Sequence, residues 1–225
     1  MTARAAFLRH GAYAQAKGAP SAWQPYPLTD EGRGHAADGG GELARYLGDG
    51  GLSLDPVIHC STLLRAWQTA EIVADTLVAA GLDVTEIRQT DALTERSVGS
   101  AANLTLEQIE AVLAADPRFG PPPAGWKADP DYCLPLPGAE SLAEAGRRVA
   151  DHVRGTVSHA SCVTLYVGHG AAFRHASCHL GALTAAEVPL LSMFHGRPVV
   201  LEDHPSGQWR HAGGEWKQRR SEAPD

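Results

Sequence analysis

Along the chain, short apolar runs alternate with longer stretches whose apolar positions recur every three to four residues. Ala5 to Leu8, Val57 to Cys60 and Val163 to Val167 have the length of short buried strands. After the second run, Leu63, Trp67, Ala70, Val73, Ala74 and Leu77 fall on one face of a helix. Leu142, Ala145, Val149, Val153 and Val157 make a similar stripe, and Gly138 and Ser141 mark its start. Thr105 and Gln108 have the spacing of a capping box and predict a shorter helix running through Ala115. Strand-like runs alternating with helical stripes predict an α/β fold with a largely parallel sheet.

Two regions break this alternation. Residues 117–137 hold seven prolines, Pro117, Pro121, Pro122, Pro123, Pro130, Pro135 and Pro137, which exclude a regular helix or a central strand. The stretch reads as a long loop inserted in the domain and placed to cover a site. Between Leu28 and Gly51 a helical pattern is interrupted by Gly39, Gly40 and Gly41, leaving the continuity of that helix open. No fixed-period repeat is present, and the end of the chain from Ser221 is expected to fray.

Length and charge narrow the picture. The 225 residues are enough for one domain with a sizeable core, so residues 1–225 are read as a single domain. Lys and Arg total 19 against 26 Asp and Glu, and the formal net charge of −7 disfavours nucleic acid and anionic membrane as partners. A small phosphorylated ligand stays open, because a few arginines in one cleft override net charge locally. No apolar run approaches the ~20 residues that span a bilayer. The opening residues do not have the pattern of a secretory leader. The four cysteines, Cys60, Cys133, Cys162 and Cys178, form no CxxC pair, and a reduced, cytoplasmic setting is expected.

The candidate chemistry sits at the ends of the strand-like runs. Arg9-His10-Gly11 follows the first run and Gly168-His169-Gly170 the third. In open α/β sheets ligands gather at the carboxyl ends of strands, so two imidazoles are predicted to face one crevice. Gly11 and Gly170 would let backbone N–H groups come close to an anion there. Arg65, after the second run, falls in the first turn of the predicted helix, where a guanidinium can bind two phosphate oxygens. His175 and His179 stand at i and i+4, but Ala176 occupies the position of the glutamate that a zinc-protease helix needs, and no metal site is expected. Arg174 is expected to brace the crevice near His169. The aromatic and basic segment from Trp209 to Arg220 reads as a packed edge followed by a solvated tail.

Taken together, these blocks resemble the histidine phosphatase, or phosphoglycerate mutase-like, superfamily. The arginine–histidine–glycine signature stands as Leu8-Arg9-His10-Gly11, and the leucine–threonine–x–x–glycine segment as Leu28-Thr29-Asp30-Glu31-Gly32. Ser61 to Ala70 matches the serine–x–x–x–arginine–alanine–x–glutamine–threonine–alanine segment, with Arg65 as its arginine. The acidic block is Leu93-Thr94-Glu95-Arg96-Ser97-Val98-Gly99; Gly138-Ala139-Glu140-Ser141 and Gly168-His169-Gly170 with Arg174 complete the set in family order.

The resemblance implies a three-layer α/β/α sandwich with a mostly parallel central sheet. It also implies a metal-independent phosphatase that hydrolyses a phosphomonoester through a phosphohistidine. His10 is the implied nucleophile and Glu95 the implied acid and base. Arg9, Arg65 and His169, with the Gly170 backbone, are the implied phosphate ligands. No cofactor is called for, since fixed cations neutralise the phosphoryl group.

Relatives often carry a serine or threonine where Tyr13 stands and an asparagine where Ala16 stands, so Tyr13 or Gln15 is expected to supply the missing polar contact. Arg96 is the further candidate for substrate binding. The mutase branch usually has tyrosine at Val98, tryptophan–asparagine at Gln15-Ala16, and an arginine pair where Arg118 stands alone. Hydrolysis is therefore preferred to a phosphoglycerate mutase-type transfer or to non-catalytic binding of a phospho-ligand. Sugar phosphates, phosphoglycerates, nucleotides and phosphoproteins all satisfy the motifs. Dimers are common among relatives, which leaves a homodimer open.

Overall fold

Ala5 and Phe7 face one side of the first strand and Ala6 and Leu8 the other, and none of the four touches solvent. A strand apolar on both faces needs cover on both, and this requirement organises the architecture. The computed structural model describes residues 2–16, 18–20, 23–158, 161–204 and 207–219. Arg220 and the stretch from Ser221 lie outside the described residues.

The elements run β1 (Arg4–Arg9), α1 (Asp30–Gly50), β2 (Ser53–Leu54), β3 (Val57–Ser61), α2 (Leu64–Ala79), β4 (Glu86–Thr90) and α3 (Leu106–Ala115). They continue as α4 (Leu142–Thr156), β5 (Cys162–Gly168), α5 (Gly170–Leu180), β6 (Leu191–Ser192), β7 (Pro198–Asp203), β8 (Trp209–Gly214) and β9 (Lys217–Gln218). The main sheet has the order β4-β3-β5-β1-β7-β8, with β2 beside β5. β5 is parallel to β1, β2 and β3, and β4 is parallel to β3. β7 and β8 extend the far side as antiparallel neighbours. One face packs against α4 and α5 through Val149, Val153, Phe173 and Ala176, and the other against α1 and α2 through Leu43, Leu47, Val73 and Leu77. The result is the expected α/β/α sandwich with a mostly parallel sheet. Among the described residues, no helix is long and apolar enough to cross a membrane.

Thr105 closes the predicted capping box with Gln108, and Ser141, which marks the start of its helix in the sequence, forms a second box with Glu144. β4 has no apolar signature, because Glu86, Arg88 and Gln89 lie at the sheet edge in solvent and only pairing with β3 makes them a strand.

The three glycines do not interrupt α1, which is continuous from Asp30 to Gly50. Two of them are contact points. A Cβ on Gly39 would lie 1.8 Å from the Gly196 carbonyl oxygen, and one on Gly40 would lie 2.8 Å from Thr76 Cβ. The helix tolerates their poor propensity because the backbone approaches its neighbours there more closely than any side chain allows.

The proline-rich stretch forms neither helix nor strand. Trp126 and Leu134 from it pack with Val98, Ala101, Ile109 and Leu113 in a separate apolar cluster. Trp209 and Trp216 are buried, as expected of a packed edge.

Gly39→Ala should destabilise the protein by about 1–3 kcal/mol through overpacking. Gly41→Ala, with nothing near its Cβ position, should stabilise it by about 0.5–1 kcal/mol. Urea unfolding of the two variants checks this; shifts of opposite sign at the two sites are the required outcome.

Candidate active site

The site forms where three parallel strands end side by side. Arg9 at the end of β1 pairs in register with Gly168 at the end of β5, and the His10 N–H donates to the Gly168 carbonyl at 3.0 Å. Ser61, ending β3, is one residue beyond the Cys60–Val167 pairing. His10, His169 and the Ser61 hydroxyl therefore emerge at one level.

Two glycines of separate motifs fit against each other to shape the turn after His10. A Cβ on Gly11 would meet the Gly32 carbonyl oxygen at 2.1 Å, and one on Gly32 would meet the Ala12 carbonyl oxygen at 1.7 Å. The first turn of α1, capped by Thr29, thus locks directly onto the loop carrying the histidine. α2 holds the same loop, since Thr69 Oγ1 accepts from the Gly11 N–H at 3.1 Å and Gln68 Oε1 from the Leu28 N–H at 2.8 Å.

Arg65 joins the two imidazoles. Its Nε donates to His10 Nε2 at 3.1 Å, its Nη2 to His169 Nδ1 at 3.2 Å, and its Nη1 to the Gln24 carbonyl at 3.1 Å. A guanidinium has no acceptor, so both imidazole nitrogens facing it carry lone pairs. The tautomers follow. His10 Nδ1–H donates to the Gly11 carbonyl at 2.7 Å, and His169 Nε2–H donates to Ser61 Oγ at 2.9 Å.

Burial is the first cause that drives both histidine pKa values well below the usual range, and the Arg65 charge is the second; Arg9 adds to it. Both rings are neutral at pH 7, and His10 Nε2 holds an uncharged lone pair in a field of fixed positive charge.

The other candidates surround this core. Arg9 reaches past Gly170, whose missing Cβ would lie 3.1 Å from Arg9 Cδ, and its Nη1 donates to the Met193 carbonyl at 2.9 Å. Glu95 is half-buried and caps α5: its carboxylate accepts from the N–H groups of Ala171 at 3.2 Å, Ala172 at 2.9 Å and Arg96 at 3.0 Å. Arg96 is buried, with its guanidinium 5.6 Å from the Trp126 ring centroid. Tyr13 packs beneath Arg65, 4.6 Å from ring centroid to guanidinium carbon, while Gln15 is exposed. Arg174 Nη1 donates to the Leu191 carbonyl at 2.8 Å, bracing β6 beside the crevice. His179 Nε2 donates to the Ala143 carbonyl at 2.9 Å, and the described residues hold no cluster of three or more His, Cys, Asp or Glu able to bind a metal ion.

Several contributors have no role in the sequence reading. Arg148 from α4 donates to the carbonyls of Asp91, Ala92 and Thr94 and pairs with Glu140, which accepts from the Ser97 N–H at 3.1 Å. This lattice fixes the loop that aims Glu95. His195 sits 5.5 Å from His10, centroid to centroid, and its Nδ1 donates to the His10 carbonyl at 2.8 Å. Burial and then Arg9 lower its pKa to about 4. Phe194-His195-Gly196 repeats the histidine–glycine pairing of the two flagged motifs, which is the signal that identifies it.

Residues 6–213 match the family model described as histidine phosphatase superfamily, branch 1. The chain is 30% identical over 186 residues to a 2,3-bisphosphoglycerate-dependent phosphoglycerate mutase of Rhizobium etli, covering 81% of each. It superposes on a mycobacterial glucosyl-3-phosphoglycerate phosphatase with a TM-score of 0.66 at 25% identity, covering 94% of this chain and 97% of the other. A putative α-ribazole-5′-phosphate phosphatase of Escherichia coli shares the fold, with a TM-score of 0.68 at 18% identity and 99% of both chains covered.

His59 lies on the α4 side of the sheet, where burial and then the neighbouring His152 lower its pKa to about 4. An unfolded histidine titrates near 6.5, so between that value and the folded one the unfolded chain binds more protons. The stability that His10, His59, His169 and His195 contribute as neutral rings is complete above about pH 6.5 and lost as pH falls below it. Urea unfolding should reveal a decline of about 1.4 kcal/mol per pH unit for each histidine within its window. His59→Phe should make the decline shallower, and an unchanged slope would refute this origin.

Proposed function

The chain belongs to the histidine phosphatase superfamily, and on that premise we propose that it is a metal-independent phosphomonoesterase acting on a small phosphorylated substrate. The observation that carries this reading is the Arg65 guanidinium bonded to both His10 Nε2 and His169 Nδ1. The same N–H groups that meet lone pairs of the two rings are the donors that a phosphoryl oxygen needs.

In the proposed reaction, Arg9 and Arg65 hold the phosphoryl oxygens, His169 joins them as its Nε2–H turns from Ser61 Oγ to the substrate, and the His10 Nε2 lone pair forms a bond to phosphorus as the bond to the leaving oxygen breaks. Glu95 gives its proton to that oxygen, and the alcohol departs. Glu95 then takes a proton from water, the water oxygen bonds to phosphorus, and the phosphorus–nitrogen bond breaks, returning the lone pair to His10. Glu95 borders the same cavity as Arg9 and Gly170, which supports this assignment. Tyr13 beneath Arg65 acts in this reading as a support for the guanidinium, and Gln15 and Arg96 as contacts for the substrate body.

The 30% identical relative is named a mutase, which supports phosphoglycerate mutase-type transfer as a second reading. Against it stand Val98 and Gln15-Ala16, and Arg118 is tied to Asp116 on the surface instead of lining the cavity. Incubation with 3-phosphoglycerate separates the two: free phosphate supports hydrolysis, and isomerisation supports transfer.

His10→Ala should abolish turnover with the fold intact, and rapid acid-free quench of the native enzyme should trap phosphate on His10; turnover by the variant would overturn the mechanism. Glu95→Gln should lower kcat about 10²–10⁴-fold on alkyl phosphates. It should lower kcat far less on p-nitrophenyl phosphate, whose leaving oxygen needs no proton. Equal losses on both esters would remove Glu95 from its role.

A further inference from the structure

Beside the phosphoryl ligands a cavity of about 640 Å³ extends away from the sheet, and Arg9, Glu95 and Gly170 belong to its wall. It passes under the proline-rich segment at residues 125–131 and follows α5 as far as Val188 and Pro189. Much of its lining is apolar, with Val98, Leu106, Leu142 and Val188 among the contributors. Two of its polar side chains are tied to main-chain carbonyls, Arg174 to Leu191 and His179 to Ala143. Lys127, Asp131 and Arg219 are exposed or half-exposed and mark its rim.

From this geometry we infer that the alcohol carried by the phosphate is a bulky, predominantly nonpolar group, two fused rings or larger, and not a three-carbon acid. The inference rests on the hydrolase reading and names its substrate class. Glu95 stands where the phosphoryl site and the cavity meet, so an ester whose leaving oxygen is beside Glu95 directs its alcohol into that space. Pockets of about 300–1,000 Å³ enclose ligands of drug size, which puts this one in the middle of the range. A three-carbon acid fills a small part of it, and even with its carboxylate on Arg96 or Gln15 it leaves most of the apolar wall in contact with water. A large nonpolar body instead removes those walls from water and adds binding energy remote from the reacting bond, which catalysis can use.

Phosphonates test the cavity without any turnover. Isothermal titration of the full chain should give at least tenfold tighter binding of 2-naphthylmethylphosphonate than of methylphosphonate. Ala143→Phe, which narrows the space from α4, should erase that difference while leaving methylphosphonate binding unchanged. Equal binding of the two by the native protein, or tighter binding of methylphosphonate, overturns the inference, as does an unaltered preference in a folded Ala143→Phe. In parallel, 2-(2-naphthyl)ethyl phosphate should be hydrolysed with kcat/KM at least tenfold above ethyl phosphate and 3-phosphoglycerate. Naphthyl preference in binding without hydrolysis of any ester sinks the hydrolase reading and keeps the cavity assignment. Hydrolysis led by 3-phosphoglycerate does the reverse.

Discussion

A buried positive charge with two imidazoles as its acceptors is the constraint on which the site depends. Arg65 is 1% exposed, and burial, aided by the Arg9 charge, pushes its pKa down, yet a guanidinium stays charged under any condition in which the protein folds. Its donors must therefore be satisfied, and His10 and His169 do so only as neutral rings with lone pairs turned inward. The charge thus selects the tautomer of both histidines, and the tautomers in turn dictate the bonds to the Gly11 carbonyl and the Ser61 hydroxyl. Protonating either ring puts two like charges in contact in a poorly solvated space, the arrangement that low dielectric penalises most.

The scaffold around this pair is built from backbone as much as from side chains. Gly11 against Gly32 and Gly39 against Gly196 bring main chain into contact where any methyl group would collide. These contacts clamp the loop after β1 between α1 and α2 and anchor the return into β7. The segment from Ser61 to Ala70 divides its labour along one helical turn after another. Ser61 receives His169, Arg65 spans the rings, Gln68 and Thr69 hold the two ends of the loop between β1 and α1, and Ala66 and Ala70 let the helix lie close to the sheet.

How far the sequence discloses this depends on where each residue's partners lie. His10, Arg65 and His169 were legible because each follows a short apolar run, and the carboxyl ends of parallel strands converge. The α/β class was legible from the alternation of short apolar runs and helical stripes, the three layers only through the family resemblance, and the starts of α3 and α4 from Thr105 and Ser141. β4 was not, because a polar edge strand is made by its neighbour. The continuity of α1 was obscured by glycines whose purpose is a contact with Gly196 and Thr76, remote in sequence. Arg148 escaped for the same reason: it acts on main-chain atoms, the Asp91–Thr94 carbonyls, which leave no residue-type pattern; His195 shares the histidine–glycine pairing of the flagged motifs, but its partner, the His10 carbonyl, leaves no such trace.

The carboxylate of Glu95 belongs at once to the crevice and to the first turn of α5, where it accepts from the N–H groups of Ala171 and Ala172. In the proposed reaction, scaffold and reagent are the same atoms. A redesign that relocates this acid to suit a different ester would uncap the helix that presents His169, so new specificity has to be sought in the residues around it, with the carboxylate itself left in place.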